Sequence, residues 1–286
     1  MISEKTNEQE WDLILYPDKS NFISEIKEIW QYRELILLLV KKEFKTMYAQ
    51  TILGPIWLLL TPLMSSAVLS LIFGMAAEIS TDGIPQFLFY YLGSILWQDF
   101  SGCVTGISRV FISNTGLAEK VYFPRLCMPI SIVLSRQVRF GIQFALFMIL
   151  YFSGFQNYGG VQRIPFILLT LCLLLEMMVL SLGTGIFFAA FTVKYRDIIV
   201  LINFAMQMWM YITPVIYPAS VIPDFWRQFY MLNPMAVILE AFRSGWFGTG
   251  IIQVQYFAVS IALTIAILCI GTLIFQKRQR RFTDTV

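Results

Sequence analysis

The chain has 286 residues, of which 57% are hydrophobic, 16% aromatic and only 14% charged, with a formal net charge of +3 and a mean hydropathy of +0.68. Soluble domains carry about 25% charged residues, so this composition excludes an ordinary cytosolic domain and, over most of the length, intrinsic disorder. The absence of histidine excludes His-based acid–base catalysis, Ser-His-Asp triads, His-ligated zinc and the usual pH switch, and so small a net charge does not point to nucleic acid.

Residues 1–20 read as a polar cytoplasmic tail. The first apolar run comes late and follows an acidic, polar stretch, which predicts no cleavable signal peptide. From 21 to 45, Phe22, Ile23, Ile26, Ile29 and Trp30 recur at helical spacing with Glu25, Lys27, Glu28 and Gln31 between them. The apolar run Leu35 to Val40 is six residues and ends at Lys41-Lys42, too short to span a bilayer. This pattern predicts an amphipathic helix on the cytoplasmic membrane face.

Residues 46–276 read as the membrane domain. A spanning helix needs about 20 mostly apolar residues, and six stretches qualify: 52–76, 86–110, 129–152, 165–191, 198–217 and 252–275. Charge is almost absent from them: Asp99 is alone in 83–108, Arg136 and Arg139 in 126–152, and Glu176 in 164–193. Pro55 and Pro62 fall in the first span and Pro214 near the outer end of the fifth, which predicts bends. Between spans five and six, residues 218–250 are apolar and aromatic but broken by Pro218, Pro223 and Pro234. Two short outer re-entrant helices turning near Asn233-Pro234 are predicted there. Residues 277–286 form a basic cytoplasmic tail that opens with KRQRR.

With the N-terminus inside, sixteen Lys and Arg fall on inner segments and three (Arg163, Arg227 and Arg243) on outer ones, leaving aside Arg136 and Arg139. That bias predicts that both termini are cytoplasmic. The fold class is therefore an all-α integral membrane protein with six spans, an N-terminal interface helix and two outer re-entrant helices.

No chemistry of an enzyme is legible. GxxxxGK[ST], HExxH, GxSxG and DxD motifs are all absent, so no catalytic residue and no metal site is assigned. Cys103, Cys127, Cys172 and Cys269 are far apart without a CxxC pair, and read as buried small apolar residues. A passageway without its own energy source is passive, ion-coupled or driven by a partner. Charges within spans cost about 2.5–3.5 kcal/mol each at the bilayer centre, which marks Asp99, Arg136, Arg139 and Glu176. Arg136 and Arg139, three apart on one helix face, read as snorkelling to the headgroups; meeting Glu176 or Asp99, lining an aqueous path and holding a phosphate are the alternatives. Glu240 and Arg243 are spaced for a local ion pair, with a transport role as the alternative. Lys41, Lys42 and Lys45 sit at the inner headgroup level, suited to anionic lipid or to a pyrophosphate. Aromatic residues suit either interfacial belts or a carbohydrate path.

Five stretches, in order, resemble one family. They are KKEFKTMYAQTILGPIWLLLTPL at 41–63, SNTGLAEKVYFPRLCMPI at 113–130, Lys-Tyr-Arg-Asp at 194–197, Thr-Pro-Val-Ile-Tyr-Pro at 213–218 and NPMAVILEAFR at 233–243. The chain resembles the permease subunit of type-2 ABC exporters for bacterial surface polysaccharides: O antigen, capsule and teichoic acid. The resemblance implies a homodimer with two separate ATP-binding cassette subunits in the bacterial inner (plasma) membrane. ATP and Mg would be bound there, with no cofactor on this chain, and would drive export of an undecaprenyl-linked glycan.

It also implies residue roles. Loop 112–125 would dock on the ATPase through Asn114, Glu119, Lys120, Tyr122, Phe123, Pro124 and Arg125. The interface helix would act as a gate where the lipid-linked substrate enters, with Trp30, Arg33, Lys41, Lys42 and Lys45. Spans one and five would line the channel, with Trp57, Trp97, Phe204, Trp209, Tyr211 and Tyr217 on its wall. In the family pattern an acidic residue is common near the position of Arg139, which implies different charge wiring in the third span here. Three other readings compete: a type-2 ABC permease for a lipid or drug, a membrane-embedded glycan-processing enzyme using Asp99 and Glu176, and a passive channel.

Overall fold

The computed structural model describes residues 28–48, 52–114, 123–154, 163–250 and 253–283, and every regular element among them is helical. In chain order these are α1 (Arg33–Tyr48), α2 (Ile56–Leu69, continuing as a π-helix over Ser70–Ala76), α3 (Gln86–Ser113), α4 (Cys127–Gly154), α5 (Arg163–Thr192), α6 (Ile198–Ile212), α7 (Asp224–Tyr230), α8 (Pro234–Phe247) and α9 (Val254–Thr283). The predicted tail 1–20, the first part of the interface helix and residues 115–122 of the predicted docking loop lie outside the described residues.

Among the described residues, four helices are long and apolar enough to cross a membrane: Ile56–Ala76, Cys127–Ser153, Ile167–Thr192 and Val254–Arg278. The two other predicted spans differ for distinct reasons. The helix α3 has 28 residues, but Ser94, Asp99 and Ser108 are among its buried side chains. It runs through the middle of the bundle against α2, α4, α5 and α6, so its surroundings are protein and its composition is less apolar. The helix α6 is apolar but has only 15 residues, ending where Thr213 turns extended before Pro214.

The main core gathers around α3. Leu88, Phe89, Tyr90, Leu92, Ile95 and Phe100 pack there with Phe140 and Phe147 of α4, Leu173 and Met177 of α5 and Ile238, Leu239 and Phe242 of α8. A second core lies at the end of the bundle carrying the basic residues. There Ile36 of α1 meets Ile107 and Val110 of α3, Cys127 and Val133 of α4, Ala189 of α5 and Phe275 of α9. The helix α1 is thus docked by one face, with Leu37 and Leu38 exposed, the asymmetry expected of a helix lying at an apolar interface.

Two breaks shape α2. Gly54 takes a positive φ of 49° just before it, a conformation that costs a residue without Cβ little, so the helix begins at Ile56 rather than at 52. Pro62 then sits inside the helix and has no N–H for the carbonyl of Leu58 one turn back. Gln143 of α4 donates to that carbonyl through Nε2 at 2.9 Å. After Leu69 the backbone widens, and the Gly74 carbonyl accepts from Gln86 Nε2 at 3.0 Å at the start of α3.

Small residues bring α5 and α9 together. A Cβ at Gly271 would sit 2.5 Å from the Gly183 carbonyl oxygen, and one at Gly183 would sit 2.7 Å from Leu268 Cα. In the same pair of helices, Ser260 of α9 donates to the Glu176 carboxylate of α5. Glu176 is therefore satisfied by a neighbouring hydroxyl and meets neither Arg136 nor Arg139. The cysteines also divide: Cys103 and Cys127 are buried as predicted, but Cys172 and Cys269 are exposed, because they fall on the outward faces of the apolar helices α5 and α9.

Between α6 and α9 the chain forms a 3-10 turn over Ala219–Val221 and then the short helices α7 and α8. They meet at the predicted Asn233-Pro234 turn, where Asn233 caps α8 by accepting from the Met235 N–H and Pro234 opens the first turn, the position that tolerates it.

Candidate functional site

Polar side chains from four helices converge on one cleft of about 610 Å³. The helix α3 contributes Gln98, Ser101, Gly102 and Thr105, spaced i, i+3, i+4 and i+7 and so on one face, with Asp99 beside them. Arg136, Arg139 and Gln143 of α4, Asn203 and Gln207 of α6 and Thr61 of α2 face them, and Trp97, Met206 and Met210 complete the wall. A second cavity of about 460 Å³ shares Trp97, Gln98 and Met210 with the first. It continues past Met64, Ser65, Val68 and Leu69 of α2 and Ser94 of α3. A polar chamber and a more apolar one beside it are thus framed chiefly by α2, α3 and α6.

The charges in the chamber are arranged unevenly. Asp99 is 5% exposed, and its Oδ2 accepts from Gln137 Nε2 at 2.8 Å. Both Arg136 and Arg139 lie close enough to act on its charge. The guanidinium of Arg136 lies directly against Gly102, occupying the space a Cβ would need. Arg136 and Arg139 therefore line the cleft beside Asp99; for Arg136, the missing side chain at Gly102 lets α3 receive the guanidinium. At the basic end of the chamber, Arg109 Nη2 donates to Asn203 Oδ1 at 2.7 Å and ties α3 to α6.

Of the six aromatic residues assigned to a channel wall, Trp97 lines both cavities. It is 5% exposed and packs with Phe100 and edge-on to Trp209. Trp57, Phe204 and Tyr211 are exposed on α2 and α6, and the Tyr217 hydroxyl donates to the Tyr211 carbonyl at 2.8 Å. These five lie outside the linings of the two cavities.

Of the predicted docking residues, Asn114 closes α3, with Nδ2 donating to the Val110 carbonyl at 3.0 Å and Oδ1 accepting from Lys42 Nζ of α1 at 3.2 Å. Phe123 is buried in the second core, Pro124 is half-buried and Arg125 is exposed just before α4. Glu119, Lys120 and Tyr122 lie outside the described residues. Trp30, Arg33, Lys41, Lys42 and Lys45 are all exposed on or beside α1.

The opposite end of the bundle is held by a buried charge pair. Arg243 Nη1 lies 3.0 Å from Glu240 Oε1 with both side chains at most 2% exposed, the local pairing their spacing predicts. Arg243 also donates to the Val215 carbonyl at 3.3 Å and stacks over the Phe89 ring at 3.6 Å. Glu240 accepts from the Ala219 N–H at 3.2 Å.

The polar face of α3 escaped a reading that counted charges. Its signal was the run of Gln98, Ser101, Gly102 and Thr105 on one face, with Asn203 and Gln207 one turn apart on α6 as its counterpart.

Apolar helices around an internal polar chamber define a multi-pass membrane protein of the transport class. The sequence pattern of the ABC-2 type transporter family matches residues 34–247, and the chain belongs to that family. It is similar to the O-antigen export system permease protein RfbA of Myxococcus xanthus, 26% identical over 263 residues, 91% of this chain and 98% of that protein. It is also similar to a protein of the same name from Klebsiella pneumoniae, 23% identical over 252 residues, 88% of this chain and 94% of that one. The inner membrane transport permease YadH of Escherichia coli K12 is 23% identical over 238 residues, 78% of this chain and 89% of its own.

Proposed function

We propose that the chain is the membrane permease subunit of an ATP-driven exporter. Its cargo is an undecaprenyl-linked polysaccharide of the O-antigen, capsule or teichoic acid type, carried outward from the cytoplasmic side of the bacterial inner membrane. The observation that carries this reading is the near full-length similarity to two O-antigen export permeases. The chamber supports it: hydroxyls, amides and a tryptophan face suit a polyol better than a wholly apolar drug or lipid tail.

In this reading α3 and α6 supply the two further membrane passes, α7 and α8 re-enter the outer leaflet, and both termini are cytoplasmic. Two copies form the passage, with α2 and α6 of each turned toward it. That arrangement gives the exposed aromatic residues Trp57, Phe204 and Tyr211 a partner surface or a sugar chain to meet. Two ATP-binding cassette subunits hold ATP and Mg and grip the segment between α3 and α4. The helix α1 gates the point where the lipid-linked glycan enters, and its exposed lysines attract anionic groups. Asn114 joins the two devices, since it ends the helix that leads into the docking segment and is held by Lys42 of the gate helix.

Deleting the coding sequence in its host tests the proposal. The expected result is loss of surface glycan with accumulation of lipid-linked glycan at the inner face, both reversed by the wild-type chain. Unchanged surface glycan in the deletion strain would refute it.

A further inference from the structure

Within the chamber, the side chain of Arg136 has a placement that packing alone does not account for. Its guanidinium rests on the bare Cα of Gly102 in α3 and opens onto a cavity of about 610 Å³. It makes no hydrogen bond or ion pair among the described residues. The acid beside it, Asp99, gives its hydrogen bond to Gln137 instead, so the guanidinium keeps its planar fork of donors for something else. Arg139 lines the same cavity one turn further on, and Asp99 is the one carboxylate in the lining among the described residues. A planar donor fork of this kind matches phosphate oxygens.

We infer that Arg136, laid against Gly102 and assisted by Arg139, forms an oxyanion subsite in this chamber that takes a phosphate group of the cargo. The inference rests on the export reading above and adds the chemistry of the group that the chamber holds. Phosphate reaches a polyprenyl-linked glycan in two ways: in the diphosphate that joins lipid to sugar, and in phosphate carried on the sugar chain. Gln98, Ser101 and Gln207 line the cavity with Arg136, and provide neutral donors and acceptors for the sugar beside either kind of phosphate. Gly102 is a positioning residue, because any side chain there moves the guanidinium off its seat.

The test is equilibrium binding to the full chain in phosphatidylcholine nanodiscs, without the ATPase and without transport, so its outcome is independent of whether the export reading stands. Farnesyl diphosphate is compared with farnesol to probe the carrier end, and glucose 1-phosphate with glucose to probe the glycan. The wild-type chain is expected to prefer the phosphorylated member of at least one pair by about tenfold or more, and the preferred pair identifies the source. Arg136→Gln should abolish that preference, Arg136→Lys should keep part of it, and Gly102→Ala should reduce it while leaving the arginine in the chain. Thermal melting of each variant separates loss of binding from loss of fold, and Gly102→Ala keeps the test open if Arg136→Gln does not fold. The inference fails if the wild type shows no preference in either pair, or if Arg136→Gln binds both pairs as the wild type does. It also fails if replacing phosphatidylcholine by phosphatidylglycerol erases the preference, since the site would then belong to a membrane headgroup.

Discussion

Gln143 and Leu58 are joined across two helices by a hydrogen bond that exists because of a third residue: Pro62 leaves the Leu58 carbonyl without its helical donor, and the Gln143 amide of α4 supplies one at 2.9 Å. Gln143 is 4% exposed and Leu58 2% exposed, so water offers no substitute. Replacing Gln143 by Leu should cost about 1–3 kcal/mol, the range for a buried acceptor left unpaired. In a Pro62→Ala background the backbone N–H returns, and the same substitution should cost measurably less. Melting temperatures of the four proteins of this cycle check it; strict additivity would mean that the proline and the amide are unconnected.

The ion pair between Glu240 and Arg243 is predicted to be a structural lock for the segment between α6 and α8. Removing one partner of a buried pair leaves an uncompensated charge and costs about 3–5 kcal/mol. Glu240→Ala should therefore lower the melting temperature sharply, and the double replacement by Met should recover part of the loss. Limited proteolysis should cut near 215–220 in the single variant and spare the wild type, because the Val215 carbonyl and the Ala219 N–H are held by this pair.

Glycine substitutions should divide by sign. Gly271→Ala places a Cβ against the Gly183 carbonyl oxygen, where backbone must move, and overpacking of this kind costs about 1–3 kcal/mol. Gly141 in α4 has nothing within 4 Å of the same probe position, so Gly141→Ala should stabilise by about 0.5–1 kcal/mol through helix propensity. Thermal melts of the two variants in one detergent give the comparison directly.

Arg125→Glu addresses the cytoplasmic partner. Arg125 is exposed at the head of α4, beside the buried Phe123, so reversing its charge should leave insertion and melting unchanged while reducing co-purification of the ATPase subunit by severalfold. Co-purification at the wild-type level would remove Arg125 from the docking surface.

Much of the helical layout was legible because apolar length and charge placement are local properties of the chain. The prolines marked their turns, and the spacing of Glu240 and Arg243 announced their pairing. What escaped depends on neighbours distant in sequence. Whether Arg136 reaches outward or inward is decided by a glycine on another helix, and whether Glu176 meets an arginine or a hydroxyl is decided by the approach of α9 to α5. The burial of α3 has the same origin: a helix ringed by protein tolerates Gln, Ser, Thr and Asp that lipid would not. The aromatic residues show the limit in the other direction, since Trp97 and Phe204 are alike in sequence terms but one lines the chamber and the other faces outward.

Transport in sealed vesicles bears most directly on the account. With the permease and its cassette subunit reconstituted together, radiolabelled lipid-linked polysaccharide should cross to the far leaflet only when ATP is supplied. The permease alone should move none. Translocation by the permease alone, at the rate of the complete assembly and indifferent to ATP, would contradict it.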